Sequence, residues 1–179
     1  MQKIKLNCKV IATALMLLAL APQGKALTQE TYPPIFLLRT QCVDTGIGNW
    51  SRRTEDVAVG KAVYTSKMFV GPGDTNASLT CRIQPNTAGI NFQTLQLGFG
   101  MRDNDVNSPP VTVKVYLDEV EAVSRNLIPG QPAEVELNIA NIGNISLEAT
   151  CSNSRRYCDR VYFWDASLVA EPMLPTSSK

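Results

Sequence analysis

Apolar and polar residues alternate with period two along most of this chain beyond its first 26 residues, the spacing of strands with one buried face. The clearest stretch runs from Leu95 to Asp118. Leu95, Leu97, Phe99 and Met101 share one side of an extended segment, and Val111, Val113, Val115 and Leu117 share one side of the next. Between them, Arg102 to Pro110 is polar, acidic and stopped by two prolines, so it must leave the ladder and stand at the rim of a sheet. This stretch predicts a hairpin with a core-facing side.

The remaining elements follow the same period. Ile35 to Val43 reads as a first strand, ended by Asp44, Gly46 and Gly48, and Asn49 to Arg53 as a loop. Val57, Val59, Val63 and Tyr64 form two short extended pieces about a two-residue turn at Gly60 and Lys61. Lys67 to Asn76 reads as loop, and Ser78 to Gln84 as a strand with Leu79, Cys81 and Ile83 on one face. A turn at Pro85 to Gly89 leads into the predicted hairpin. Weak alternation from Val120 to Asn126 comes next, then clear strands through Val135, Leu137 and Ile139 and through Ile145, Leu147 and Ala149. A last long strand opens at Cys158. No 3.6-residue apolar period persists long enough for a helix, and about nine or ten short strands separated by turns predict an antiparallel two-sheet β-sandwich, an all-β fold. Leu97, Phe99, Val113, Val115, Leu137 and Trp164 are the expected core between the sheets.

Composition adds a compartment. Lys3, Lys5 and Lys9 precede an apolar run from Val10 to Ala21, followed by Pro22 and a small Ala26. This is a secretory signal pattern over residues 1–26, and the run is too short to serve comfortably as a membrane span. The expected organisation is one sandwich domain over residues 27–170 with a tail at 171–179, secreted or periplasmic and free of the membrane once the signal is cleaved. Removing the four lysines of the signal from the 17 basic residues leaves 13 against 16 acidic ones, which disfavours nucleic acid as a partner.

Of five cysteines, Cys8 leaves with the signal. The remaining four, in an exported chain, predict two disulfides. Cys151 and Cys158 lie seven apart across a polar connector that a local bridge can close, and Cys42 and Cys81 each sit inside a strand-like run, which favours Cys151–Cys158 with Cys42–Cys81. Zinc is a poor alternative without a histidine or a CxxC pair.

The residues carry no catalytic constellation and call for no cofactor. Without histidine the commonest general base is missing, and the acidic neighbours Asp103/Asp105 and Asp118/Glu119 show no cleft around them, so the chain reads as a non-enzyme. The oxygen-rich run from Asp103 to Asn107 reads either as a loop using Asn and Asp for turn geometry or as a cation-collecting loop lacking the downstream glutamate of a calcium site. Trp50, beside Asn49, Arg52 and Arg53, suits stacking against a sugar ring or closing one end of the core. Asn49, Asn76 and Asn144 begin glycosylation triplets.

Five pieces occur in a suggestive order: Val59 to Tyr64, Ser78 to Ile83, Phe92 to Asp103, Val111 to Asp118 and Asp159 to Leu168. In order and spacing they resemble the novel putative carbohydrate-binding module (NPCBM) family, over roughly Thr40 to Val169. The chain departs from that pattern at Met68 to Gly71, where many members carry a Gly-His-Ala-like segment. The resemblance implies a jelly-roll, galactose-binding-domain-like sandwich that binds carbohydrate through loops at one end. Together with the loop chemistry of Asn49–Arg53 and Arg102–Asn107, it leads to the expectation of a sugar over Trp50 with Arg102 and Asp103 on its hydroxyls. The alternative function is a structural or protein-interaction domain of the cell envelope, with an envelope protein as partner and no sugar site.

Overall fold

The computed structural model describes residues 32–83 and 90–172. Its strands, in chain order, are β1 (Ile35–Phe36), β2 (Gln41–Asp44), β3 (Asn49–Val59), β4 (Ala62–Gly71), β5 (Asn76–Arg82), β6 (Ile90–Gly100), β7 (Val111–Leu117), β8 (Val120–Leu127), β9 (Pro132–Asn138), β10 (Asn144–Cys151) and β11 (Val161–Pro172), with a 3-10 turn at Leu37–Arg39 after β1. Among the described residues one sheet runs β3-β4-β11-β6-β9, with β1 also on β11, and the other runs β2-β5-β10-β7-β8. All the strand pairings are antiparallel. No helix among the described residues is long and apolar enough to cross a membrane. The expected signal peptide, the Pro85–Gly89 turn and most of the tail lie outside the described residues.

The alternating residues of both sheets meet in one interior. Leu97, Phe99, Val113 and Val115 are buried there, with Leu137 half-buried against them. Phe99 and Phe163 stack across neighbouring strands at 5.1 Å between ring centroids. Cys42–Cys81 joins β2 to β5, where the two residues face each other across the ladder, and Cys151–Cys158 closes the polar connector before β11.

Two features differ from the periodicity reading. First, β6 and β7 do not pair as a hairpin: β6 lies between β11 and β9, and β7 between β10 and β8. Arg102 to Pro110 carries the chain from one sheet to the other. Period-two alternation determines which side of a strand is apolar; it does not say which strand lies beside it, and nine residues span the roughly 10 Å between packed sheets with ease. Second, β3 and β4 are longer than the two short pieces expected. Asn49 to Arg53 belongs to β3 and Lys67 to Gly71 to β4, because β3 is an edge strand on which polar side chains meet solvent. The first strand is split in turn, with the Leu37–Arg39 turn tucking Leu37 and Leu38 into the core.

The β3–β4 hairpin shapes one face of the molecule. Its stem lies in the sheet, where Met68, Phe69 and Val70 pair with Phe163, Tyr162 and Val161. Beyond Met68 the hairpin leaves β11, β1 takes its place opposite Ser167 and Leu168, and a register shift between Arg52 and Glu55 bends β3. The buried Ser66 hydroxyl satisfies the parting backbones by donating to the Met68 and Phe163 carbonyls, at 2.8 and 3.3 Å. The distal half lies over the outer face of β11 and β6 as a flap. There Val57 and Val59 join Phe69 and Tyr162 in a second apolar cluster, flanked by Tyr64 and Trp164. Each such side chain, fully buried, contributes on the order of 1.5–3 kcal/mol.

Trp164 therefore lies outside the sandwich and not between the sheets. Phe163 pairs with Phe99 and Asp165 with Gly98, so Trp164 is the extra residue of a bulge that turns two successive side chains outward. Gly98 and Gly100 make room for it. A Cβ on Gly98 would collide with the indole, and one on Gly100 would stand 2.8 Å from Val59 Cγ1.

Candidate functional site

Each residue expected at a loop-end site has a partner within the fold. Trp50 is the second residue of β3, opposite Val70, and its half-buried indole packs against the interior cluster, with its N–H buried and unpartnered among the described residues. Arg102 lies on the other side of that sheet. Its Cζ is 5.2 Å from the centroid of the Tyr162 ring, while Nη2 and Nε donate to the two carboxylate oxygens of the buried Asp105 at 2.8 and 3.3 Å. The Asp103 carboxylate accepts the amides of Gly60 and Lys61, at 2.7 and 3.0 Å, and its own amide donates to the Ala58 carbonyl at 2.9 Å. Asp103 thus pins the flap's tip, where Gly60 and Lys61 hold positive φ angles of 62° and 66°. Trp50 stands at the start of β3 and this tip just past its end, ten residues apart along the chain.

Electrostatics follow these contacts. The hydrogen bond to Asp105 raises Arg102 above its ordinary range, while burial pushes the Tyr162 hydroxyl up. Burial, then the charge of Asp105, raises the Asp159 carboxyl. Among the described residues no three acidic or sulfur side chains converge as metal ligands. The oxygens of Asp103 and Asp105 are directed at backbone amides and at Arg102 respectively.

Two open grooves among the described residues lie on either side of the flap. One, of about 620 Å³, is built on two rungs of the outer face. Asp165, Gly98 and Glu134 make the first rung across β11, β6 and β9, and Ser167, Gln96 and Glu136 make the second. Gly98, covered by the Trp164 indole, lies between two carboxylates two strand spacings apart, about 10 Å between backbones. Along one side runs the stack of Tyr64 on Trp164, with ring centroids 4.0 Å apart and planes 19° from parallel. Gly98 and Gly100 lie beneath that indole and Tyr64 above it, so the stack presents its edges to the groove. The arrangement offers an apolar aromatic wall, one amide and three carboxylates as hydrogen-bond acceptors.

The second groove, of about 590 Å³, lies where β1 and the 3-10 turn meet the hairpin's stem. Pro33, Pro34 and Phe36 give it an apolar strip, and Arg39, Arg52 and Lys67 supply its charge.

The sequence reading did not select Tyr64, Gln96, Glu134, Glu136 or Asp165. A usable signal was present in LQLGFG: two glycines on the same side of a central strand mark a face on which something else lies closely.

No protein-family model matches the chain, and no curated protein matches it by sequence. Solved structures do match its fold. The CBM51 of Clostridium perfringens GH95, in complex with methyl-galactose, superposes with a TM-score of 0.58 at 13% identity, over 76% of this chain and 99% of that one. CBM51-2 of Clostridium perfringens ZmpB, in complex with GlcNAc, gives a TM-score of 0.62 at 12% identity over 79% of this chain and 32% of the other, which also holds INT domains. The tandem CBM51 modules of Sp3GH98 from Streptococcus pneumoniae give 0.53 at 8% identity, over 84% and 47%. At these identities the likeness is one of fold: a two-sheet antiparallel β-sandwich like that of CBM51 modules.

Proposed function

We propose that this chain is an exported, non-catalytic carbohydrate-binding module whose ligand occupies the groove between the Tyr64–Trp164 stack and the outward residues of β6 and β9. One observation carries the reading: the groove combines an aromatic wall with Gln96, Glu134, Glu136 and Asp165 on a rigid sheet face. A sugar needs both. Its ring C–H groups pack on aromatic edges, and its hydroxyls donate to carboxylates and exchange hydrogen bonds with an amide. The groove takes the place of the loop end because Arg102 and Asp103 are engaged within the fold and Trp50 faces the core. Two disulfides in so small a domain fit an oxidising compartment, secreted or periplasmic. Affinity is expected to be modest, since each hydrogen bond to a sugar replaces one to water.

Titration calorimetry after a glycan-array screen tests the site, with methyl-galactose and GlcNAc, the sugars in two of the similar structures, as first probes. Gln96→Ala and Glu134→Ala change a half-buried and an exposed side chain of the rungs, and each is expected to weaken binding of a responsive glycan about tenfold, the worth of one good hydrogen bond. Unchanged binding in both, with loss in Arg102→Ala, would move the site to the loop end. No binding by the wild type to any glycan would favour the envelope-interaction alternative.

A further inference from the structure

The groove on the other side of the flap has the opposite charge, and its chemistry is independent of the site above. Arg39, Arg52 and Lys67 line it, and among the described residues no acidic side chain does. Among the described residues none of the three lies within ion-pair distance of a carboxylate. This stands out in a chain whose acidic residues outnumber its basic ones once the expected signal is removed. Arg52 donates one N–H to the Leu38 carbonyl, which holds its guanidinium at the groove and leaves four donors. The Lys67 ammonium sits 5.4 Å above the Phe36 ring, fixed by cation–π attraction. Arg39, at the end of the 3-10 turn, is exposed.

We propose that this second groove binds a segment of an acidic polysaccharide, with uronate carboxylates on Arg39, Arg52 and Lys67 and pyranose rings along Pro33, Pro34 and the ring edge of Phe36. A guanidinium fork matches a carboxylate in two parallel hydrogen bonds, and those bonds strengthen where no internal carboxylate competes. The apolar strip suits the C–H faces of pyranose rings. Nucleic acid fits less well, because its bases need an open aromatic face to stack on and the face of Phe36 is covered by Lys67. The molecule then carries two saccharide grooves of opposite charge, one on each side of the flap.

The experiment titrates the whole chain with a galacturonate oligomer, its fully methyl-esterified form and a single-stranded oligodeoxynucleotide, at low and at high salt. The uronate is expected to bind at low salt, to weaken as salt screens the charges, and to outbind both the neutral ester and the oligonucleotide. Arg39→Glu and Lys67→Glu should each weaken it about tenfold or more. Arg39→Gln and Lys67→Gln serve as milder variants, with thermal melting to show that each remains folded. Gln96→Ala and Glu134→Ala should leave uronate binding unchanged, which separates this site from the first. No uronate binding at low salt, equal binding of the ester, an oligonucleotide bound as tightly, or binding retained in both charge reversals would overturn the proposal.

Discussion

The two outer faces of the sandwich solve the same problem differently. On the β2-β5-β10-β7-β8 sheet hydroxylated and charged outward residues engage one another. Thr80 bonds Ser146 across the ladder at 2.8 Å, Thr45 bonds Ser78 at 2.9 Å, and Lys114 meets Glu121 at 2.8 Å. The strict in-and-out burial of β7 and β10 follows from having water on one side. On the other sheet, β11 is apolar on both sides through Val161, Tyr162 and Phe163, β6 has glycine at two successive outward positions, Gly98 and Gly100, and a folded-over hairpin fills the space above them. A face left to water tolerates many side chains, whereas a face covered by the chain's own flap tolerates few. Both candidate grooves lie along that covered face, where the flap stands above the sheet and makes walls.

The largest test of this contrast compares Gly98→Val with Thr112→Val. The first places a branched side chain in the Trp164 indole and should cost about 3 kcal/mol, as overpacking does, whereas the second, on the watered face, should change stability by less than about 0.5 kcal/mol. Urea unfolding measures both, and equal effects would mean that the flap is not docked. A smaller effect is expected at the flap's tip. Asp103→Ala removes the acceptor for two amides and should cost about 1.5–3 kcal/mol, concentrated locally. Hydrogen exchange at Gly60 and Lys61 should accelerate while amides of β7 and β10 stay protected.

The smallest expected effects are on pH dependence, and they have opposite signs on the two sides. Asp118, at the end of β7, accepts the amides of Gly143 and Asn144, and these bonds hold its carboxyl below the ordinary 3.8. Its contribution is present above about pH 4 and is lost as pH falls through the depressed value, so Asp118→Asn should destabilise at neutral pH and lose its effect in acid. Asp159, raised by burial and by Asp105, costs stability once ionised. Asp159→Asn should therefore stabilise at neutral pH, with the gain shrinking as pH falls from the raised value toward 3.8. Melting curves across pH 3–7 would show both trends, and shifts of the same sign would contradict the assigned environments.

The sequence made the core faces legible and the neighbours illegible. Leu97, Phe99, Val113 and Val115 could be read because alternation depends only on local geometry. The pairing of β6 with β11 and β9 depends on distant segments competing for an edge, which no local period records. Trp164 was misplaced because a single inserted residue reverses the phase of a strand. The disulfide pairs were readable from spacing and strand position. The grooves were not readable: Gln96, Glu134 and Glu136 have the same outward, polar pattern as Thr112 and Lys114, and only the flap above them makes one set different from the other. Trp50, Arg102 and Asp103 were conspicuous as residue types; burial, an ion pair and two backbone amides are their observed surroundings.

The position of β11 in the order of synthesis has a kinetic consequence. It is the last of the described strands to emerge, yet β4, β6 and β1 all pair with it, and the flap rests on its Tyr162 and Trp164. Until it arrives, β6 and β4 lack their shared neighbour and Val57, Val59 and Tyr64 have no surface to dock on. Such long-range closure makes folding slow and leaves strand edges unpaired in the meantime. Until that strand arrives the central sheet stays open, and the time between emergence and closure is when the chain most needs a chaperone.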